Sequence, residues 1–209
     1  MTPAAQTHAH TPVRATKEIH PWTLGTWTHP PLSTRALADE SLEVEASEGS
    51  DAWRHTGYQF VHDSEHALLA PLRPGEAMEI DFTLDFDQTF DQAGLFIKRS
   101  RDRWIKAGVE IAEGAPHVGA VATDGMSDWS AAEVSSWAGQ MVTIRASWID
   151  DAIVVRARAG GDPFRLVRIS PFVREGQVAA GPYCCAPTRS GLLVRFSQWR
   201  IGQADARLH

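Results

Sequence analysis

From Pro21 onward the chain is dominated by short runs in which apolar and polar residues alternate. The clearest spans Glu76 to Asp87. Met78, Ile80, Phe82, Leu84 and Phe86 fall on one face, and Glu79, Asp81, Thr83, Asp85 and Asp87 on the other. A period of two over that length predicts an antiparallel strand with one face on the core and one in water. Leu42–Val44 and His66–Pro71 read as further strands. Asp91–Ser100 and Arg103–Ala112 read as a hairpin turning at Arg99–Asp102, and Met141–Ile149 with Ala152–Ala159 as a second across Asp150–Asp151. Gln177–Cys185 and Gly191–Gly202 supply the last strands. Gly and Pro punctuate the gaps, as at Pro74–Gly75 and Glu113–Gly114. No stretch of ten residues shows a helical repeat, and only Ala131–Trp137 suits a helical turn. Evenly spaced strands with loop signals predict an all-β sandwich or jelly roll.

At 209 residues the chain fits one domain and buries enough surface to need neither disulfide nor metal. Residues 1–20, rich in Thr, Ala, His and Pro, read as a flexible arm, 21–203 as the β-domain and 204–209 as a tail. The net charge of −6 and the dispersed arginines argue against nucleic acid as a partner. No run approaches a membrane span, and no apolar leader precedes the domain, so the expectation is a cytoplasmic protein. Cys184 and Cys185 are adjacent, without zinc or redox spacing, and read as small strand residues. His8, His10 and His20 are irregularly spaced. His62, Asp63 and His66 fit a polar turn as well as a metal. The expectation is no metal and no cofactor.

Eight tryptophans change the picture, because some must be core and others are available as flat platforms for a ligand. Alternation along Trp104–Ile111 places Trp104, Lys106, Gly108 and Glu110 on one face and Ile105, Ala107, Val109 and Ile111 on the core side. An aromatic, a cation and a carboxylate on one strand face suit the lining of a groove, and equally a solvated ion pair. Gly94 marks a close approach by backbone or ligand, and Ser127-Asp128-Trp129-Ser130 suits a loop at a groove rim.

Three ordered segments, Asp91-Gln92-Ala93-Gly94-Leu95, Trp104-Ile105-Lys106-Ala107-Gly108-Val109-Glu110 and Ser127-Asp128-Trp129-Ser130, resemble the family called domain of unknown function 1349, which includes the fungal regulation-of-enolase proteins. Trp27-Thr28-His29-Pro30-Pro31, Asp51-Ala52-Trp53-Arg54 and Gly181-Pro182-Tyr183-Cys184-Cys185-Ala186-Pro187 are also similar, so the likeness covers residues 20–202. The chain departs from the family pattern Ala-Ser-Pro, having Cys185-Ala186-Pro187. The resemblance implies a concanavalin-A-like jelly roll of two antiparallel sheets, one concave, and no demonstrated activity. Mapped onto that fold, Gln92, Trp104, Lys106, Glu110, Asp128 and Trp129 lie in or beside the concave groove, with Trp53, His55, Tyr58, Arg168 and Tyr183 as further candidates.

Three functions remain open. A carbohydrate or small polyol bound in the groove needs exposed aromatics beside Glu110 and Gln92. A glycoside hydrolase needs a pair of carboxylates. Glu79-Ile80-Asp81 resembles the opening of the glucanase pattern Glu-x-Asp-x-x-Glu, but Leu84 stands where the last acid belongs, and Glu110 is the remaining candidate acid. A regulatory protein-interaction domain would instead expose an apolar patch away from the groove.

Overall fold

The computed structural model describes residues 17–207, and the strands are numbered in chain order. One sheet runs β15 (Arg165–Pro171), β14 (Ala152–Ala159), β13 (Met141–Ile149), β8 (Glu76–Thr83), β17 (Leu193–Gln203), β4 (Leu42–Glu45) and β3 (Ser33–Ala36), with β1 (Glu18–Ile19) also on β17. The other runs β12 (Met126–Glu133), β11 (Ala115–Asp124), β10 (Arg103–Ala112), β9 (Gln92–Lys98), β16 (Ala179–Cys185), β7 (His66–Pro71) and β2 (Thr26–Trp27). Every strand pairing within these sheets is antiparallel. The two sheets stack as a jelly-roll sandwich.

The core is what the alternation predicts. Met78, Ile80 and Phe82 of β8 meet Ile105, Ala107 and Val109 of β10 in one buried cluster with Trp148 and Trp199. Both expected hairpins form, the second closing at Ile149 opposite Ala152. Cys184 and Cys185 are buried and free, and burial pushes the Cys184 thiol up to about 12.

Four expectations need correction. The polar face of β8 is not in water: Glu79 is 1% exposed and Asp81 6%. Arginines from β13 and β17, together with Lys17, cover both carboxylates. Ser127–Ser130 lies inside β12 rather than in a loop, because an edge strand exposed on most of its length carries no alternation. The helical turn at 131–137 shrinks to a 3₁₀ turn at Ser135–Trp137, since β12 extends to Glu133. Of the expected arm, Glu18–Ile19 pairs with β17. His8 and His10 lie outside the described residues, and His20 packs edge-on against Trp199.

A small hairpin, β5 (Ala52–Arg54) with β6 (Val61–Asp63), lies on the outer face of the second sheet. Beneath it a separate apolar cluster joins Ala52, Phe96, Trp104, Val121, Tyr183 and Cys185. Arg54 ties the hairpin to the β11–β12 turn by donating to Ser127 Oγ and to the Gly125 carbonyl.

Candidate functional site

Strand register alone assembles the outer face of the second sheet. One cross-strand row reads Cys185, Gln92, Glu110, His117 and Glu133. The next reads Tyr183, Gly94, Gly108, Gly119 and Ala131, and the third Gly181, Phe96, Lys106, Val121 and Trp129. The middle row has three adjacent glycines for a steric reason. A Cβ on Gly94 or Gly108 would stand 2.1 Å from a carbonyl oxygen of the neighbouring strand, far inside contact distance. The result is a bare trough across the strands, with its two banks about 13 Å apart at ~3.3 Å per residue.

The β9 half of this trough is closed. Lys106 Nζ reaches from one bank to the other, donating to Gln92 Oε1 at 2.9 Å and to Asp51 Oδ1 at 2.8 Å. Gln92 Nε2 donates in turn to Asp51 Oδ1 at 3.4 Å. Burial alone would disfavour both charges, yet the attraction between Asp51 and Lys106 outweighs it. The Asp51 carboxyl is held below its usual range and the Lys106 ammonium above. Lys106, 3% exposed, is therefore a charged, buried lysine and not a surface group.

The β11–β12 half is open, bordered by Glu110, His117, Val121 and Trp129, with Tyr183 at its inner end. Its volume is ≈ 10 Å³, room for about one water. Trp129 is 44% exposed on its bank. Glu110 is half-buried and has neither a hydrogen bond nor an ion pair among the described residues. Burial raises its pKa, partly offset by Lys106 and His117. Burial likewise raises the Tyr183 phenol.

The structure brings together Gln92, Lys106, Glu110, Trp129 and Tyr183. It moves other candidates away. Trp104 is no ligand platform: it is buried under the β5–β6 hairpin and stacked on Phe96 at 5.3 Å. Trp53 packs against the same cluster and donates its indole N–H to the Thr56 carbonyl. His55 and Tyr58 sit at the exposed tip of that hairpin. Asp128 shares a row with Ala122 and Ile105, so it faces away from the trough and pairs with Arg168 of β15 at the sandwich edge. His66 cannot join a metal site with its ring as placed. Nδ1 hydrogen-bonds the His29 carbonyl at 3.0 Å and Nε2 accepts from the Ser47 N–H at 3.0 Å. Asp63 is held by Lys98 and Arg101.

Two participants escaped the sequence reading. Asp51 stands 55 residues from Lys106 along the chain, beyond the reach of any local pattern. His117 was legible: a two-residue turn at Glu113–Gly114, both with positive φ, pairs Glu110 with His117 directly.

Comparison with known proteins agrees with this architecture. The family described as "Protein of unknown function (DUF1349)" matches residues 27–204. The chain belongs to that family. It is 32% identical over 182 residues to "Regulation of enolase protein 1" of Saccharomyces cerevisiae, covering 85% of this chain and 88% of that one. A crystal structure of a functionally unknown S. cerevisiae protein superposes with a TM-score of 0.82 at 29% identity, over 90% of this chain and 100% of the other. A xylan β-1,4-xylosidase from Bacillus halodurans matches 96% of this chain but only 41% of its own, with a TM-score of 0.64 and 13% identity. That likeness is one of fold.

Proposed function

We propose that this family member binds a hydroxyl-rich small molecule, of the carbohydrate or polyol class, along the glycine-floored trough. The observation that carries the reading is Glu110. Its carboxylate is half-buried and unpartnered among the described residues, across the trough from an exposed tryptophan, and a carboxylate offers about four lone-pair sites to hydroxyl donors. Trp129 supplies a flat apolar face, and His117 lies directly across from Glu110. The ligand's ring rests over Gly108 and Gly119, where the absence of side chains lets it approach the backbone.

A hydrolytic role has less support. Glu79 and Asp81 belong to the opposite sheet and are bound by arginines. Asp51 is bound to Lys106. The next carboxylate along Glu110's row, Glu133, stands two strands away beyond His117 and accepts from Ser135 Oγ, so no second carboxylate stands directly next to Glu110 among the described residues.

The test is a titration with mono- and oligosaccharides, followed by tryptophan fluorescence and melting temperature. A ligand at a hundred times its Kd adds about 2.7 kcal/mol of stability. Glu110→Gln and Trp129→Ala should each abolish the response. No saturable response to any sugar defeats the reading.

A second reading rests on a different surface. The β5–β6 hairpin exposes Tyr58 (66%) and Phe60 (41%), stacked at 5.3 Å, and exposed paired aromatics suit a protein partner. The related yeast protein's name points to enolase. Purified enolase, tested by sedimentation against wild type and a Tyr58→Ser, Phe60→Ser double variant, separates the two readings. Binding lost only in the double variant favours the partner.

A further inference from the structure

We infer that a second cleft, at the β9–β10 turn end of the sandwich, binds a small polyanion bearing phosphate groups. This open cleft has a volume of ≈ 710 Å³, and its walls carry Arg73, Lys98, Arg99, Arg101, Arg174 and Gln177, with no carboxylate among the described lining residues. Five cations facing one concavity run against the bulk charge of −6. Such focusing inside low-dielectric walls concentrates anions locally.

Four of the cations have carboxylate partners set outside the cleft. Lys98 pairs with Glu65 and Asp63, Arg101 with Asp63, Arg73 with Glu76, and Arg174 with Asp150. Arg99 has none. Its guanidinium lies 4.4 Å over the Phe172 ring, and Nη2 donates to the Val173 carbonyl. Nε and Nη1 are buried with no acceptor among the described residues. Burial, and then the like charge of Arg103, disfavour the charged form of Arg99, partly offset by the charges of Glu175 and Asp124. An unsatisfied buried donor is destabilising, and more so when charged. An anion in the cleft relieves this state if Arg99 turns its Nε–Nη1 edge away from Phe172 and donates both bonds to phosphate oxygens. Arginine's planar fork suits that bidentate geometry. The exposed Arg174 and Arg73 then close over the remaining oxygens.

A small soluble ligand is favoured over a membrane or a nucleic acid. The cations line one open, concave cleft, not a stripe, and the rest of the molecule carries a net negative charge.

Pyrophosphate is the probe, with inorganic phosphate and sulfate as controls for simple ionic strength, read by calorimetry and melting temperature. Saturable pyrophosphate binding is expected, at least tenfold tighter than sulfate. Arg99→Gln should abolish it. Because Arg99 also braces the 172–178 segment, an Arg73→Ala, Arg174→Ala double variant provides a second arm. Both residues are solvent-exposed, so folding is preserved, and the affinity should fall at least tenfold. Glu110→Gln should leave pyrophosphate binding unchanged, which separates this cleft from the trough. The inference is overturned if pyrophosphate and sulfate behave alike, if the double variant binds as wild type does, or if only anionic phosphatidylserine vesicles bind.

Discussion

The two outer faces of the sandwich both bury charge, and they do so differently. On the first sheet a single row reads Arg156, Arg145, Glu79 and Arg200 across four strands. Glu79 there accepts from Lys17 at 2.6 Å, Arg145 at 2.7 Å and Arg200 at 3.0 Å. Asp81 accepts from Arg200 Nη1 and Nη2 at 2.6 and 2.7 Å, and Asp205 of the C-terminal segment holds Arg145, Ser147 and Arg156. On this face each carboxylate is surrounded by donors. On the second sheet the triangle of Asp51, Lys106 and Gln92 is equally closed, but Glu110, one row position from Gln92, has no partner. A complete network fixes packing; a leftover acceptor beside it is where a ligand can contribute binding energy.

The largest effect expected from breaking this contrast is at Glu79. Glu79→Gln leaves three cations facing one another, and removal of one partner from a buried pair costs about 3–5 kcal/mol. Urea denaturation reads it directly. The pH dependence has a definite sign. Burial alone would raise the Glu79 pKa, but the hydrogen bond from Lys17 and the charges around it carry it below 4.5. Its contribution is therefore present above the ordinary carboxylate range and is lost as the pH falls through the folded value. The variant should flatten that acid limb. A loss under about 1 kcal/mol would mean that the row is a surface feature.

Lys106→Met comes next. It leaves Asp51 and Gln92 facing an apolar side chain and should cost about 3 kcal/mol. A further Asp51→Leu substitution should recover much of the loss, because the destabilisation comes from the stranded charge. If the double variant is no better than the single, the triangle is not a self-contained unit.

How far these two faces were legible in the sequence follows from where their partners come from. The alternation of β8 and β10 identified both core faces, because a period of two is written in consecutive residues. It could not tell a solvated face from a buried network. Arg145 lies 66 residues beyond Glu79 and Arg200 121 beyond it, so Glu79 and Asp81 looked like an ordinary wet face. The same limit hid the cover over Trp104. The strands of the β5–β6 hairpin are three residues each, too short to show alternation, so Trp104 looked like a groove wall. Register across a tight turn carries further, and it placed His117 opposite Glu110 within reach of inference.

A smaller effect is expected at the trough floor. Gly108→Ala puts a methyl 2.1 Å from the Ala93 carbonyl oxygen. Neighbouring backbone must then move, at about 1–3 kcal/mol as for other overpacked sites. Hydrogen exchange should show the opening confined to β9 and β10. Unchanged stability would mean that the glycine row reflects no steric need, and the trough would lose its structural reason.

The smallest effect has the opposite sign, and it separates the two faces most cleanly. Glu110 has a folded pKa raised above its ordinary 4.5, first by burial and then by the Asp51 charge, against the pull of Lys106 and His117. The native state therefore holds the Glu110 proton more tightly than the unfolded chain does. Stability is fully present below the unfolded pKa and is lost as the pH rises through the folded one, the reverse of Glu79. Glu110→Gln keeps the shape and removes the charge. It should raise the melting temperature slightly at pH 7 and leave it unchanged near pH 4, while Glu79→Gln lowers it at pH 7. A group kept at a net loss to the free protein is one that a ligand can repay, so saturating sugar should stabilise wild type and not the variant. If Glu110→Gln is instead destabilising at pH 7, Glu110 belongs to the packed network with Lys106, and the two faces are alike.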